Sequence, residues 1–478
     1  MKFHKSYSFI VLLACGWQVR AGAQVVGPNS QAPSSASMGT GYVDLLAGLA
    51  YTDNGLLAQG HRQGDGIGTA GLDVDYQQQG NLSLNLLGNV ERVEYLRGSN
   101  AGSFYGHFYG TGVLGKPTDP VQWQLSDRFG EGMTDPLAAP TPTNLETIND
   151  VATGPIVNLN FGLENRLSLF GLYSRTSYQR SPYDSQAYQG GAQFTHQLSG
   201  ASSVSLQGSD ERIDYLDRTA AQNALGSTVA NFDIRQASIA YQTNLVRTRV
   251  LLRAGYNQLN YGSAGRHGAP LYVLDIRRTL SPDSTVFVSA QQAYSTNGSS
   301  MGDLSQRNAL QSGGSVAPGL AISQPYNLRS GSLGWIFARA RTNFSLIGTI
   351  RQSVFSQSGV RRLDHRDEGV IATIGRKLRP TLTIDLRGEG NFEHYSSVHA
   401  RTQWYSVRLS LAKHFRRLAV LLYAERRHQS GAPGVSNFLS ATYDDNRVGL
   451  YVTYDLVGTR GMGASRGGLP SMGGMSGW

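Results

Sequence analysis

From Gly41 to Leu456 the chain falls into period-two segments of about 8 to 14 residues, joined by connections that alternate between very short and long. Few folds tolerate that rhythm. Short turns are expected near Gln79-Gly80-Asn81, Gly115 to Pro120, Glu164 to Arg166, Ser199-Gly200-Ala201, Asn244 to Thr248, Ser281 to Asp283, Arg379-Pro380-Thr381 and Arg416-Arg417. Long loops are expected at Asp53 to Asp65, Glu131 to Gly154, Asp217 to Asn231, Leu259 to Ala269, Ser295 to Pro325, Ser353 to Glu368 and Ser430 to Asp445. Membrane barrels place tight turns on the periplasmic side and long loops outside the cell, whereas a soluble sandwich or propeller gives no reason for the asymmetry. Thr381 to His394 shows the strand signature best: Leu382, Ile384, Leu386 and Phe392 alternate with Thr383, Asp385, Arg387, Glu389, Asn391 and Glu393. The reading is an all-β transmembrane antiparallel β-barrel of about twenty strands, with about 18 as the alternative, because Val121 to Arg128 is short enough to belong to a loop.

Composition agrees with a barrel and disagrees with a packed soluble core. Of 478 residues only 40% are apolar, while glycine (58) and tyrosine (24) are abundant. A barrel needs apolar residues on one face of each strand only, since its lumen faces water. Beyond the first residues no stretch approaches the ~20 consecutive apolar residues of a spanning helix, so any crossing is made by closed strands.

The start of the chain reads as an export signal for the Sec pathway. Lys2 and Lys5 precede an apolar run, and Ala21-Gly22-Ala23 ends in a small-x-small pattern, giving a signal peptide over 1–23. Leu12-Leu13-Ala14-Cys15 permits a second reading, lipidation at Cys15. Cleavage after Ala23 removes the single cysteine, and with it disulfide and thiol chemistry. A flexible periplasmic lead-in over 24–40, a barrel over 41–456 and a Gly-rich disordered tail over 457–478 complete the division. The tail carries eight glycines in its 22 residues. The expected location is the bacterial outer membrane, with lipid, lipopolysaccharide and the barrel-assembly machinery as partners.

A net charge of +9 invites a nucleic-acid reading, but the basic residues are scattered singly, and nucleic acid is not expected as a partner. The excess concentrates late: between Arg361 and Arg427 there are fourteen Lys and Arg against seven Asp and Glu. With the polar face inward, Arg249, Arg253, Arg277, Arg351, Arg387, Arg408, Arg427 and Arg447 line the second half of the wall. Inward acids include Asp73, Asp75, Glu91, Asp275, Asp385, Glu389, Glu425 and Asp455. Either these charges neutralise one another across strands, or unpaired members set the field that selects the solute. Arg253, Arg277, Arg387 and Arg427 are the lumen selectivity candidates. Polysaccharide or anionic solutes are the corresponding cargo. Tyr51, Tyr76, Tyr95, Tyr173, Tyr256, Trp335, Trp404 and Tyr405 lie near strand ends, as an interfacial girdle requires.

Enzyme chemistry finds little support. The ten histidines form no His-Glu-x-x-His or similar spacing, and Asp364-His365-Arg366-Asp367-Glu368 reads as a charged extracellular loop, with bridging by a divalent ion as the rival reading. No catalytic residue, metal or cofactor is expected; an outer-membrane hydrolase stays as the reading of another class.

An Asp53-Asn54 loop follows the first strand, Gln122-Trp123-Gln124-Leu125-Ser126-Asp127 comes next, an Asn149-Asp150 loop leads to Thr153-Gly154-Pro155, a strand pair runs to Tyr178, and Phe232-Asp233 opens another. In this order the chain resembles outer-membrane β-barrel proteins associated with exopolysaccharide and PEP-CTERM (exosortase) loci, over much of 41–456. The resemblance implies a channel for export or handling of exopolysaccharide and supplies no catalytic residues. A general or anion-preferring diffusion porin remains the alternative.

Overall fold

The computed structural model describes residues 40–58, 62–135, 138–225, 230–262, 265–300, 319–321, 324–356, 363–396, 399–431 and 442–457. The expected signal peptide, the lead-in short of Thr40 and the tail beyond Val457 lie outside the described residues. Nearly everything described is strand. The first half of the wall is β1 (Thr40–Thr52), β2 (Asp65–Gln78), β3 (Leu82–Tyr95), β4 (Ser103–Leu114), β5 (Val121–Met133), β6 (Leu145–Phe161), β7 (Asn165–Tyr178), β8 (Ser185–Ser199), β9 (Ser202–Tyr215) and β10 (Phe232–Asn244). The second half is β11 (Thr248–Asn260), β12 (Arg266–Ser281), β13 (Ser284–Ser295), β15 (Tyr326–Arg339), β16 (Thr342–Phe355), β17 (His365–Arg379), β18 (Leu382–Tyr395), β19 (Ala400–His414), β20 (Leu418–Gly431) and β21 (Tyr443–Asp455). Between β13 and β15 lie a single helical turn, α2 (Asn297–Ser300), and the two-residue β14 (Gly319–Leu320); α1 (Arg218–Leu225) follows β9.

Each wall strand pairs antiparallel with the next, and β1 closes the ring against β21, from Asp44↔Asp455 to Thr52↔Arg447. An antiparallel closure requires an even number of strands. With β14 set aside the ring holds twenty, so the expected count stands and Val121–Met133 is wall rather than loop.

The two faces sort as the alternation demands. Outward stand Leu45, Leu49, Leu206, Ile239, Leu252, Leu333, Leu386, Leu409, Leu422 and Leu450, among many exposed large apolar residues. In a soluble protein such a surface would aggregate; around a barrel it is the lipid-facing band. Tyr51, Tyr173, Tyr256, Trp335 and Tyr405 also stand outward, 39–55% exposed. Two girdle expectations are corrected: Tyr95 packs against the inner cluster that holds Leu46, Val93 and Tyr105, and Trp404 shares the inward phase of the buried Thr402, Ser406 and Arg408.

The loops are shorter than the alternation suggested. The expected loop from Glu131 to Gly154 shrinks to 134–144, because β5 runs on to Met133 and β6 starts at Leu145. Likewise the charged segment Asp364 to Glu368 is not a loop: β17 begins at His365, Asp364 caps the Phe355 amide (2.8 Å), and Asp367 pairs with Arg351 (2.9 Å). Three loop-end connections, 96–102, 179–184 and 396–399, are also brief, which breaks the strict long-short alternation. One physical cause covers these cases. Strand tips that project beyond the lipid are wet on both faces, so they carry outward ion pairs such as Arg235–Asp210 (3.0 Å) and Arg366–Glu368 (2.6 Å) and lose the apolar half of the pattern.

Candidate functional site in the barrel lumen

All four lumen candidates project inward, but they differ in what they meet. Arg427 donates to Glu425 (3.0 Å), which also accepts from Arg408 (3.0 Å), whose guanidinium lies 5.1 Å over the Tyr423 ring. Next to this group Arg447 bonds Asp445, and Thr52 donates to the same carboxylate across the closure of the ring. Arg387 pairs with Glu389. These residues are nearly all buried, Glu425 and Arg427 at 4% and 3% exposure, so the β18–β21 wall holds its arginines in ion pairs, two of them on the shared Glu425. Arg387 takes Glu389 as its partner, not the Asp385 two residues before it.

Arg253 and Arg277 lie on β11 and β12, away from this network. The Arg277 guanidinium sits 5.6 Å over the Phe287 ring, a cation–π contact, and its side chain remains solvent-exposed. Arg253 forms no hydrogen bond or ion pair among the described residues, and its Nε is buried without a partner. Of the four, it is the one whose charge the wall does not visibly answer.

The feature that sequence reasoning missed is the path of the long connection between β13 and β15. Ser295, at the end of β13, pairs with Tyr326 in the wall. Three residues later the Gly298 carbonyl accepts from Arg128 Nη1 of β5 (3.4 Å). Three residues reach at most about 11 Å, and from Gly298 a single side chain, Arg128 or Asp150, bridges to the facing strands, yet a circular twenty-strand barrel is roughly 40 Å wide, taking ~4.8 Å spacing and ~40° tilt. The ring is therefore pinched where β13 faces β5 and β6. The far end of the connection returns to the same place: β4 leaves β5 after Phe108↔Phe129, and β14 takes the vacated edge in parallel, Gly319↔Gly132 and Leu320↔Met133, followed by Ala321 N–H to Met133 O (2.9 Å).

Two glycines make this docking fit. A Cβ at Gly132 would lie 2.8 Å from the Ala321 nitrogen, and one at Gly298 would lie 2.7 Å from Asp150 Oδ1 and 2.9 Å from Thr176 Oγ1. The Ala321 backbone cannot give way, and at Gly298 the Asp150 and Thr176 side chains would have to shift. The loop ends are further covered by an apolar layer from the β7 to β11 side, in which Tyr178, Tyr215, Phe232, Leu259 and Tyr261 pack with Ala221 of α1 and Ala321. Alternation alone carries no trace of this, because a loop that folds inward reads like one that does not. The only sequence signal was length.

Below α2 a cavity opens between β5 and β9. Its lining mixes hydroxyls and amides with Ala152, Leu172, Ala187 and Ile213, and Arg128, Asp150 and Glu211 are the charged members. Arg128 Nη1 reaches Asp150 at 3.2 Å, and Thr176 donates to the other Asp150 oxygen at 2.9 Å. Among the described residues no group of three or more His, Cys, Asp or Glu is placed to hold a metal ion.

No known family profile and no curated relative matches this sequence. Solved structures with a related barrel include the siderophore receptor PirA from Acinetobacter baumannii, at 10% identity over 87% of this chain and 81% of that one, TM-score 0.41. The ferric enterobactin receptor PfeA from Pseudomonas aeruginosa aligns at 11% identity over 87% and 82%, TM-score 0.40. Pseudomonas aeruginosa OccK2, solved with glucuronate, aligns at 11% identity over 87% and 98%, TM-score 0.35.

Proposed function

We propose that this chain is an outer-membrane channel for hydrophilic solutes, and that its cargo is secreted polysaccharide. One observation carries the channel reading: an apolar exterior encloses a polar lumen that the connection between β13 and β15 narrows from within. Beside its apolar clusters the inner face keeps hydroxyls, amides and charges, the lining that a lumen holding water or a polar solute requires. The polysaccharide assignment rests on the sequence resemblance, to which the hydroxyl- and amide-lined cavity adds chemical sense. An anion-preferring diffusion porin is the second reading, favoured by the unanswered charge of Arg253. A strain lacking the gene separates the two. Under the first reading polymer accumulates in the periplasm; normal polymer secretion with slowed uptake of small anions would replace it by the second.

A further inference from the structure

The cavity beneath α2 is more finished than a passage needs to be. Ser126, Ser174, Thr176 and Ser185 supply hydroxyls, Gln124 and Gln189 supply amides, and Leu172, Ala187 and Ile213 leave apolar patches between them. Ser126 is 2% exposed, yet among the described residues its Oγ has no hydrogen-bond partner, and neither has the buried Nε of Arg128. Buried polar atoms are almost always satisfied, and an unsatisfied pair on one wall of a cavity is what a bound polar molecule would complete. Glu211, also on the wall, is neither hydrogen-bonded nor ion-paired among the described residues, although Asp150 is committed to Arg128 and Thr176.

The charges choose the class of occupant. One guanidinium stands against two carboxylates and already faces Asp150, so the site holds no uncommitted positive charge. It therefore offers an anion no counter-charge, unlike the wall around Arg253. Donors and acceptors in near-equal supply, with apolar patches between, match a ring that offers vicinal hydroxyls at its edge and C–H groups on its faces. We infer that this cavity is a binding subsite for a neutral, polyhydroxylated sugar unit, held by Arg128, Asp150 and Glu211 and roofed by Thr296 to Ser299. The roof contact from Arg128 to the Gly298 carbonyl ties occupancy of the site to the seat of the constricting loop.

The inference deepens the channel reading and rests on it for access to the site, but its test is independent of conduction. The full-length protein in nanodiscs is titrated with maltohexaose, cellohexaose and an oligogalacturonate of the same length. At least one neutral hexamer should bind, and the oligogalacturonate at least tenfold more weakly. Ser174→Leu, which fills the cavity from a strand position without touching the Arg128–Asp150 pair, should weaken the neutral ligand at least tenfold. Glu211→Gln should narrow the gap between neutral and acidic hexamers. Absence of binding by both neutral hexamers to folded protein, preference for the oligogalacturonate, or indifference to Ser174→Leu each overturns the subsite. Binding that behaves as expected in a barrel that conducts no ions supports the subsite and overturns the channel reading instead.

Discussion

Replacing Glu425 by alanine is expected to destabilise the folded barrel by about 3–5 kcal/mol, the cost of breaking a buried ion pair from one side. Glu425 is the shared acceptor of Arg408 and Arg427, each contact 3.0 Å, and all three are at most 7% exposed. Its removal strands two guanidiniums on one wall, with Arg447 beside them already engaged by Asp445. Urea-dependent folding into lipid vesicles measures the loss. The exposed outward pair Arg92–Glu94 is the internal control, since Arg92→Ala there should cost no more than ~1 kcal/mol. Equal effects of the two substitutions would show that the inner network is not coupled as described.

The second large effect concerns selectivity. Arg253→Glu swings the local charge by two units, which at ~10 Å and an effective dielectric of ~60 changes an ion's energy by about 1 kcal/mol. Screening at 0.1 M salt reduces that to roughly 0.4 kcal/mol for each sign of ion. The anion-to-cation permeability ratio, read from reversal potentials across a salt gradient, should then fall roughly fourfold. Arg387→Glu should behave differently. It places a second carboxylate against Glu389, so impaired folding is expected rather than a filtered current. Unchanged selectivity in a folded Arg253→Glu barrel would reduce this arginine to a wall residue.

How much of this was written in the chain depends on where lipid touches it. Leu382 to Phe392 could be oriented from sequence because lipid on one face and water on the other force period two. Arg253, Arg277, Arg387 and Arg427 were placed on the correct face for the same reason. Glu131 to Met133 and His365 to Glu368 were misread as loop because both faces of those tips are polar or crowded. Val121 to Arg128 looked too short only because its continuation to Met133 was hidden in the same way. The partners of each arginine were not legible. Choosing Glu389 over Asp385 for Arg387 depends on geometry that spacing alone does not fix. Least legible was the cavity, since Ser126, Asp150, Thr176 and Glu211 come from four strands and Gly298 from a loop 148 residues beyond Asp150. Nothing local links them.

The central claim is that an aqueous path runs through the barrel and is narrowed by the connection docked on β5 and β6. Single-channel recording in planar bilayers, comparing wild type with Gly132→Phe combined with Gly298→Val, tests it most directly. Gly132→Phe sets a large side chain against the Ala321 backbone and Gly298→Val presses on the Asp150 and Thr176 side chains, so together they are expected to unseat the docked segment. Wild type should conduct in small, resolved steps and the double variant in steps several times larger, with heat-modifiable gel migration showing that both are folded. Equal conductance in two folded barrels, or none in either, would contradict the account.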